Sequence, residues 1–258
     1  MRKYLLLFLS AIFILTGCSS VVEREKFIVG IDDEFAPLAF RDEAGNIVGF
    51  DIDLAKETAN RMGVEFEFKP IDWDKKREEL ISGSIDLIWN GLDITEDRKE
   101  YMIFSEPYMD DRQILLIRAD NYQEFFTEYD LANQIVGTQA GSTSYCYIKQ
   151  NEKLKNSLKE FKGYSKFNEA LDALSNNEID ALICDELIAR YEMNSHPDRF
   201  KMVDVRIGTI LETGIGFRKD DVELRNRVQA AFDELIKDGT AKKISIQWFQ
   251  ADLIKLKK

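Results

Sequence analysis

Two separated stretches of this chain carry the same local plan, and the repetition limits the folds open to it. Residues Leu80–Asn90 and Leu174–Cys184 each end a helical pattern in a polar turn and then open a strand with an Ile-Asp pair, Ile85-Asp86 and Ile179-Asp180. The strands run out into residues of chemical promise: Asn90, Gly91 and Asp93 in one copy, Cys184 and Asp185 in the other. A chain built this way is expected to form two lobes of similar topology. Each would turn the carboxyl ends of its strands towards a shared crevice, where ligands of open α/β sheets bind.

The surrounding pattern agrees. Phe27–Ile31 reads as a buried strand, and a helix follows from Ile52 to Met62, closed by Gly63. Val64–Phe68 alternates with period two, and a helix over 74–82 leads into a strand over 85–89. Strands alternating with helices of this length predict a parallel α/β sheet. Tyr108–Ala119, with its apolar run Ile114–Ile117, is long enough to cross from one lobe to the next, and residues near Gly208–Gly216 carry a second crossing back. Helices over 220–237 and 240–249 would then rest on the first lobe. The expected architecture is a two-lobed α/β clamshell, each lobe a mainly parallel sheet flanked by helices, joined by two strands acting as a hinge. Lobe one takes 26–113 and 212–258; lobe two takes 114–211.

The N-terminus reads as a processing signal. Arg2 and Lys3 precede an apolar run from Tyr4 to Leu15, too short to span a bilayer, which ends in Leu15-Thr16-Gly17-Cys18. Small residues before a cysteine at the end of an apolar run resemble the lipobox of bacterial lipoproteins. The resemblance implies cleavage after residue 17, lipidation of Cys18 and a short tether over 18–25. The chain would then be extracytoplasmic and held on the membrane by its lipid.

Charge and side-chain inventory exclude several functions. Removing residues 1–17 takes away Arg2 and Lys3 and moves the formal charge from −12 to −14. Such a surface argues against nucleic acid and against docking on anionic lipid. The remaining cysteines, Cys146 and Cys184, are read as reduced thiols, although a disulfide is permitted outside the cytoplasm. No metal-ligand spacing occurs, and the single histidine, His196, lies beside Pro197 in a polar stretch. A Ser-His-Asp or Cys-His catalyst, a metal and a cofactor are therefore not expected.

One arginine stands out. In Asp93–Arg98, Thr95 is a good N-cap, and Glu96 and Asp97 suit the positive end of a helix. Arg98 would turn its forked guanidinium back towards the strand end, a geometry for holding a carboxylate.

Taken together, Val29–Pro37, Gly49–Leu54, Ile94–Arg98 with Phe104–Tyr108, Gly141–Thr143, Ile179–Asp185 and Asp238–Thr240 resemble family 3 of the bacterial extracellular solute-binding proteins. These are the partners of ABC transporters for polar amino acids. The likeness runs from Val29 to Phe249. It implies a monomer that closes on a free amino acid and hands it to ABC permease subunits. Arg98 would clamp the α-carboxylate with backbone N–H groups at Asp93 and at Gly141, Ser142 and Thr143. Asp185 would take the α-ammonium, helped by the Gly91 carbonyl and the side chain at 93; Asn90 ends the same strand. Asp32, Phe35, Trp73, Gln139 and Cys184 match positions that often meet the ligand side chain. The family commonly carries serine or threonine where Asp93 stands. A second carboxylate near the ammonium favours lysine, arginine, ornithine or histidine over glutamate, unless Asp93 only caps the helix that follows. The same clamshell also resembles cyclohexadienyl dehydratases, which would need a general acid and no ammonium partner, and ligand-sensing receptor domains, which usually continue into a membrane or signalling segment.

Overall fold

The computed structural model describes residues 24–121 and 123–255. The signal segment 1–17, Cys18 and the tether up to residue 23 lie outside them.

After β1 (Lys26–Ile31) comes a small antiparallel sheet of β2 (Glu34–Phe35), β3 (Ala39–Arg41) and β4 (Ile47–Val48). Then follow α1 (Phe50–Met62), β5 (Glu65–Pro70), a 3-10 turn over Trp73–Lys75, α2 (Lys76–Ile81) and β6 (Leu87–Ile88). Next are α3 (Glu96–Lys99), β7 (Met102–Phe104) and β8 (Met109–Arg118). The second lobe is built from β9 (Ile135–Gln139), α4 (Thr143–Gln150), α5 (Glu152–Ser157), β10 (Glu160–Tyr164), α6 (Phe167–Ser175), β11 (Ala181–Asp185) and α7 (Glu186–Ser195). The chain returns along β12 (Phe200–Thr213) to β13 (Gly216–Arg218), α8 (Val222–Lys237) and α9 (Thr240–Phe249).

The two large sheets have matching plans, β5-β1-β6-β13-β7 and β10-β9-β11-β8-β12. In each, the first three strands are parallel and the last two join antiparallel. The expected parallel character therefore holds for one half of each sheet. The other half is antiparallel because the strands beside β6 and β11 belong to the segments that cross between lobes, and these run the opposite way.

The repeat seen in sequence has a physical basis. The Asp86 carboxylate accepts from the Ile28 N–H at 2.7 Å, and the Asp180 carboxylate accepts from the Ile135 N–H at 2.7 Å. Asp180 thus fixes the first residue of β9 and Asp86 the third residue of β1, each the middle one of the three parallel strands in its lobe. Ile85 and Ile179, both fully buried, cover Gly30 and Gly137 so closely that a Cβ on either glycine would lie 2.5 Å from the isoleucine Cδ1. Because Ile85 and Asp86 are spent on this packing, the strand expected over 85–89 shortens to Leu87–Ile88.

α8 and α9 pack on the first lobe, as the double crossing requires. Phe232 meets Trp89 and Tyr108 edge-on at 5.5 and 5.8 Å, and Phe249 meets Phe50 at 4.9 Å. The crossing itself is the β8–β12 ladder, which runs from Arg118–Phe200 to Met109–Thr213 with two register shifts. Lys255 ties the strands together at the first lobe through Asp110 and Glu212, each at 2.6 Å. Among the described residues no helix is long and apolar enough to cross a membrane.

If Asp180 anchors its lobe in this way, Asp180→Ala leaves the Ile135 N–H without its acceptor. Urea denaturation should then show a loss of about 1–3 kcal/mol. Asp172→Ala on the exposed face of α6 should cost nothing measurable. Equal midpoints for the two variants would refute the anchoring role.

Candidate functional site

The carboxyl ends of the parallel strands of both sheets converge on a cleft. β1 delivers Asp32 and, through β2, Phe35; the turn after β5 delivers Trp73; β6 delivers Asn90, Gly91 and Asp93. From the other lobe, β9 and the start of α4 supply Gln139, Ser142 and Thr143, and β11 supplies Cys184 and Asp185. Arg98 joins them from α3. All of these line the cleft.

Gly141 is the exception among the residues singled out by sequence. Its φ of +70° turns the chain into α4, and its carbonyl accepts from the Lys76 ammonium of the opposite lobe at 2.7 Å. It belongs to the seam between lobes rather than to the cavity wall.

The cleft also draws on residues that sequence reasoning missed: Gln113 from β8, Thr138 from β9, Phe167 from α6 and Ile183 from β11. Thr138 and Ile183 neighbour singled-out positions, and a strand reading extended to Gln139 would have exposed the first. Gln113 sits on the crossing strand, whose apolar run hid its polar face.

Arg98 is 6 % exposed, and its guanidinium donates to the Asp93 carbonyl at 2.8 Å. Thr95 caps α3 by accepting from the Arg98 N–H at 3.4 Å. Asp93 does not cap that helix; its Oδ2 accepts from the Thr143 hydroxyl across the cleft at 2.5 Å. Among the described residues Arg98 makes no carboxylate ion pair, so a desolvated cation faces the cavity beside the first turn of α4, where Ser142 serves as N-cap.

The opposite charge is close by. Asp185 accepts from the Gln113 amide, and burial together with repulsion from Asp93 pushes its carboxyl up to about 7, against the pull of Gln113 and Arg98. Burial also raises Asp93 and Asp32, the latter partly relieved by the Gln139 amide. Lys166 stands 3.9 Å from Asp32 and 3.4 Å from Asp33. The Cys184 thiol is held well above its usual range by burial and by Asp185. Cys146 is exposed, and both cysteines are free.

Several bonds close the seam. Lys76, 5 % exposed, also donates to the Trp73 carbonyl at 2.9 Å and lies 5.1 Å from the Trp73 ring centre. Burial, then Arg98, lowers its ammonium to about 7. Gln150 bonds Asp97 at 2.6 Å, and Phe35 and Phe167 meet edge-on at 5.6 Å.

The family model for bacterial extracellular solute-binding proteins, family 3, matches residues 27–251. The L-cystine-binding protein TcyJ of Escherichia coli (strain K12) is 29 % identical over 92 % of this chain and 87 % of its own length. ABC transporter arginine-binding protein 1 of the same strain is 30 % identical over 96 % of this chain and 99 % of its own. A crystal structure of an ABC uptake transporter substrate-binding protein from Streptococcus pneumoniae with bound histidine superposes with a TM-score of 0.84. It is 35 % identical, over 90 % of this chain and 95 % of that one.

The seam yields a test of closure. A Cβ on Gly141 would meet the Asp74 Cα at 2.8 Å and the Lys76 ammonium at 3.1 Å. Gly141→Ala should therefore hold the lobes apart, raising the radius of gyration in small-angle scattering while leaving the circular dichroism spectrum unchanged. An unaltered scattering curve would mean that the seam absorbs the methyl group.

Proposed function

Because the chain belongs to family 3 of the bacterial extracellular solute-binding proteins, we propose that it captures a free polar L-amino acid with a cationic side chain and delivers it to an ABC permease. The observation that carries this reading is the pairing of Arg98 with Asp185 in one desolvated cleft. A free amino acid is a zwitterion, and enclosing it strips water from both charges, so each needs a partner. The α-carboxylate would sit on the Arg98 fork and the first N–H groups of α4. The α-ammonium would bond Asp185, the Gly91 carbonyl and Asp93.

The side chain would lie between Phe35 and Trp73, pointing towards Asp32 and Gln139. Asp32, Asp93 and Asp185 line the cavity against Arg98, which favours a ligand bringing a second positive charge. Relatives named for arginine and a structure holding histidine are in line with that preference. The Cys184 thiol stays protonated and is a poor nucleophile, and the cleft is read as binding rather than catalytic.

Closure on the ligand follows from contacts made by both lobes at once, since only a difference in affinity between open and closed states drives it. We further propose that Cys18 carries a lipid and that the protein works as a monomer on the outer side of the membrane. Detergent partitioning that is lost in Cys18→Ser would support the anchor; unchanged partitioning would remove it.

Isothermal titration of protein unfolded and refolded to free it of retained ligand tests the main reading. Arginine, lysine, ornithine and histidine are expected to bind ahead of glutamine, cystine and glutamate. Arg98→Ala and Asp185→Ala should each weaken binding by about 100-fold or more, the cost of leaving a buried charge unpartnered. Binding confined to cystine or glutamine would keep the transport role and overturn the cationic preference. Near-normal affinity in either variant would overturn that residue's assignment.

A further inference from the structure

Behind the cleft wall lies a carboxylate that the zwitterion argument does not use. Asp111, on β8, is 7 % exposed, and one carboxylate oxygen from each of Asp93, Asp111 and Asp185 lies within 4.8 Å of the others. Gln113 holds the back of this group. Its amide nitrogen donates to Asp111 Oδ2 at 2.7 Å and to Asp185 Oδ1, while its oxygen accepts from the Ser144 hydroxyl. Both amide hydrogens are therefore turned towards the carboxylates.

Asp93 supplies a second, independent sign. It is 3 % exposed, Thr143 occupies its Oδ2, and its Oδ1 is buried with no hydrogen-bond partner. Among the described residues none of the three aspartates is in an ion pair. An acceptor left bare in a desolvated cluster of like charge calls for a donor from outside the chain.

The chemistry indicates which donor. The Gln113 amide hydrogens that face the carboxylates would repel a bare metal ion held among them. A primary ammonium, with its N–H donors, fits. Three carboxylates so close, with Arg98 alone to offset them, favour sharing a proton until a second cation arrives.

We propose, resting on the amino-acid reading above, that Asp111 is a positioning residue that makes the ammonium site a three-carboxylate seat, which holds one shared proton when unliganded and releases it to water when a primary α-ammonium binds. The protonated cluster and the incoming R–NH₃⁺ become a fully ionised cluster paired to R–NH₃⁺ plus one proton in solvent. Asp111 also borders a broad groove lined by residues of β8, α7 and the end of α9, which offers the proton a way out.

The surrounding charges are consistent with this. Asp111 is raised well above the ordinary carboxylate range by burial, then by Asp185 and Asp93. Arg98 draws both Asp93 and Asp185 down from the α3 side. Cys184 on β11 feels Asp111 but stays neutral. Glu186 and Arg190 of α7 and Arg112 of β8 border the groove, where Arg112 bonds Glu186 and Arg190 bonds Glu186. On the β12 side the next rung is Asp110 with Glu212, matched by Lys255. Lys76 titrates in the same range from the seam, so its contribution is separated by the variant below.

The sign follows from linkage. The shared proton competes with the ligand, so affinity rises with pH through the cluster's titration, by about tenfold per pH unit where one proton is released, and levels off above it. The Asp carboxyl carbons are followed by NMR in the unliganded protein and in Asp111→Asn, whose amide oxygen still accepts from Gln113. L-Arginine binding is then measured by calorimetry at pH 6 in two buffers of different ionisation enthalpy. In the wild type one cluster carboxyl should titrate near 7 or above, and binding should release about one proton. In Asp111→Asn the Asp111 titration is gone and the proton release should fall, while the responses due to Asp185 and Lys76 remain. If all three carboxyls titrate in the ordinary range, or if proton release is the same in both proteins, the inference is overturned whatever binds. A cluster that holds its proton in a protein binding neither L-arginine nor any other amino acid overturns the functional reading, and the release step with it.

Discussion

The pairing of β8 with β12 is the constraint on which the rest of this molecule depends. These strands, ten and 14 residues long, must satisfy two sheets at once. Their ladder forms the antiparallel edge of the second sheet at one end, and at the other Thr213 bridges Asp93 beside the first. Because both crossings lie side by side, the lobes share an edge and their strand ends face each other. Because the chain crosses twice, its C-terminal helices must complete the lobe that its N-terminus began. Lys255, binding Asp110 and Glu212, closes that circuit.

What the crossing brings together is charge, and charge in such a place is costly. Arg98, Lys76, Asp32, Asp93 and Asp111 are all nearly excluded from water. None would survive there without hydrogen bonds, and the structure provides them unevenly. Lys76 has two carbonyls, and Asp32 has the Gln139 amide and the Glu34 N–H. Asp93 keeps one oxygen bare. The seam bonds hold the lobes together, and the bare positions mark where a ligand's charges complete the set. Stability and binding are thus drawn from the same small group of side chains.

Much of the fold was legible in the chain itself. The Ile-Asp repeat reported two equivalent lobes because both residues play the same part in each, the isoleucine covering a strand glycine and the aspartate accepting from an N–H of the neighbouring strand. Strand ends carrying Asp32, Asn90, Gln139 and Cys184 could be read because apolar runs stop where the cleft begins. The hairpin strands β2 to β4 escaped notice, since two- and three-residue strands leave no period to detect. Gln113 and Asp111 escaped for a different reason. They occupy alternate positions of a crossing strand, and only the pairing of that strand with β11 and β12 decides which way its polar face turns.

By itself the sequence determined the alternation of the longer strands and helices, the doubled topology, and the types of residue that end each strand. These are set by local periodicity, capping and the chemistry of short motifs, which act within a few residues. Only the tertiary structure decided that Gly141 meets Lys76 across a seam, that Asp93 bonds Thr143 rather than capping α3, and that Asp111 joins Asp93 and Asp185. Each of those contacts joins residues from different strands or opposite lobes, and its energy depends on water being excluded from between them. Exclusion of water is a property of the closed cleft as a whole.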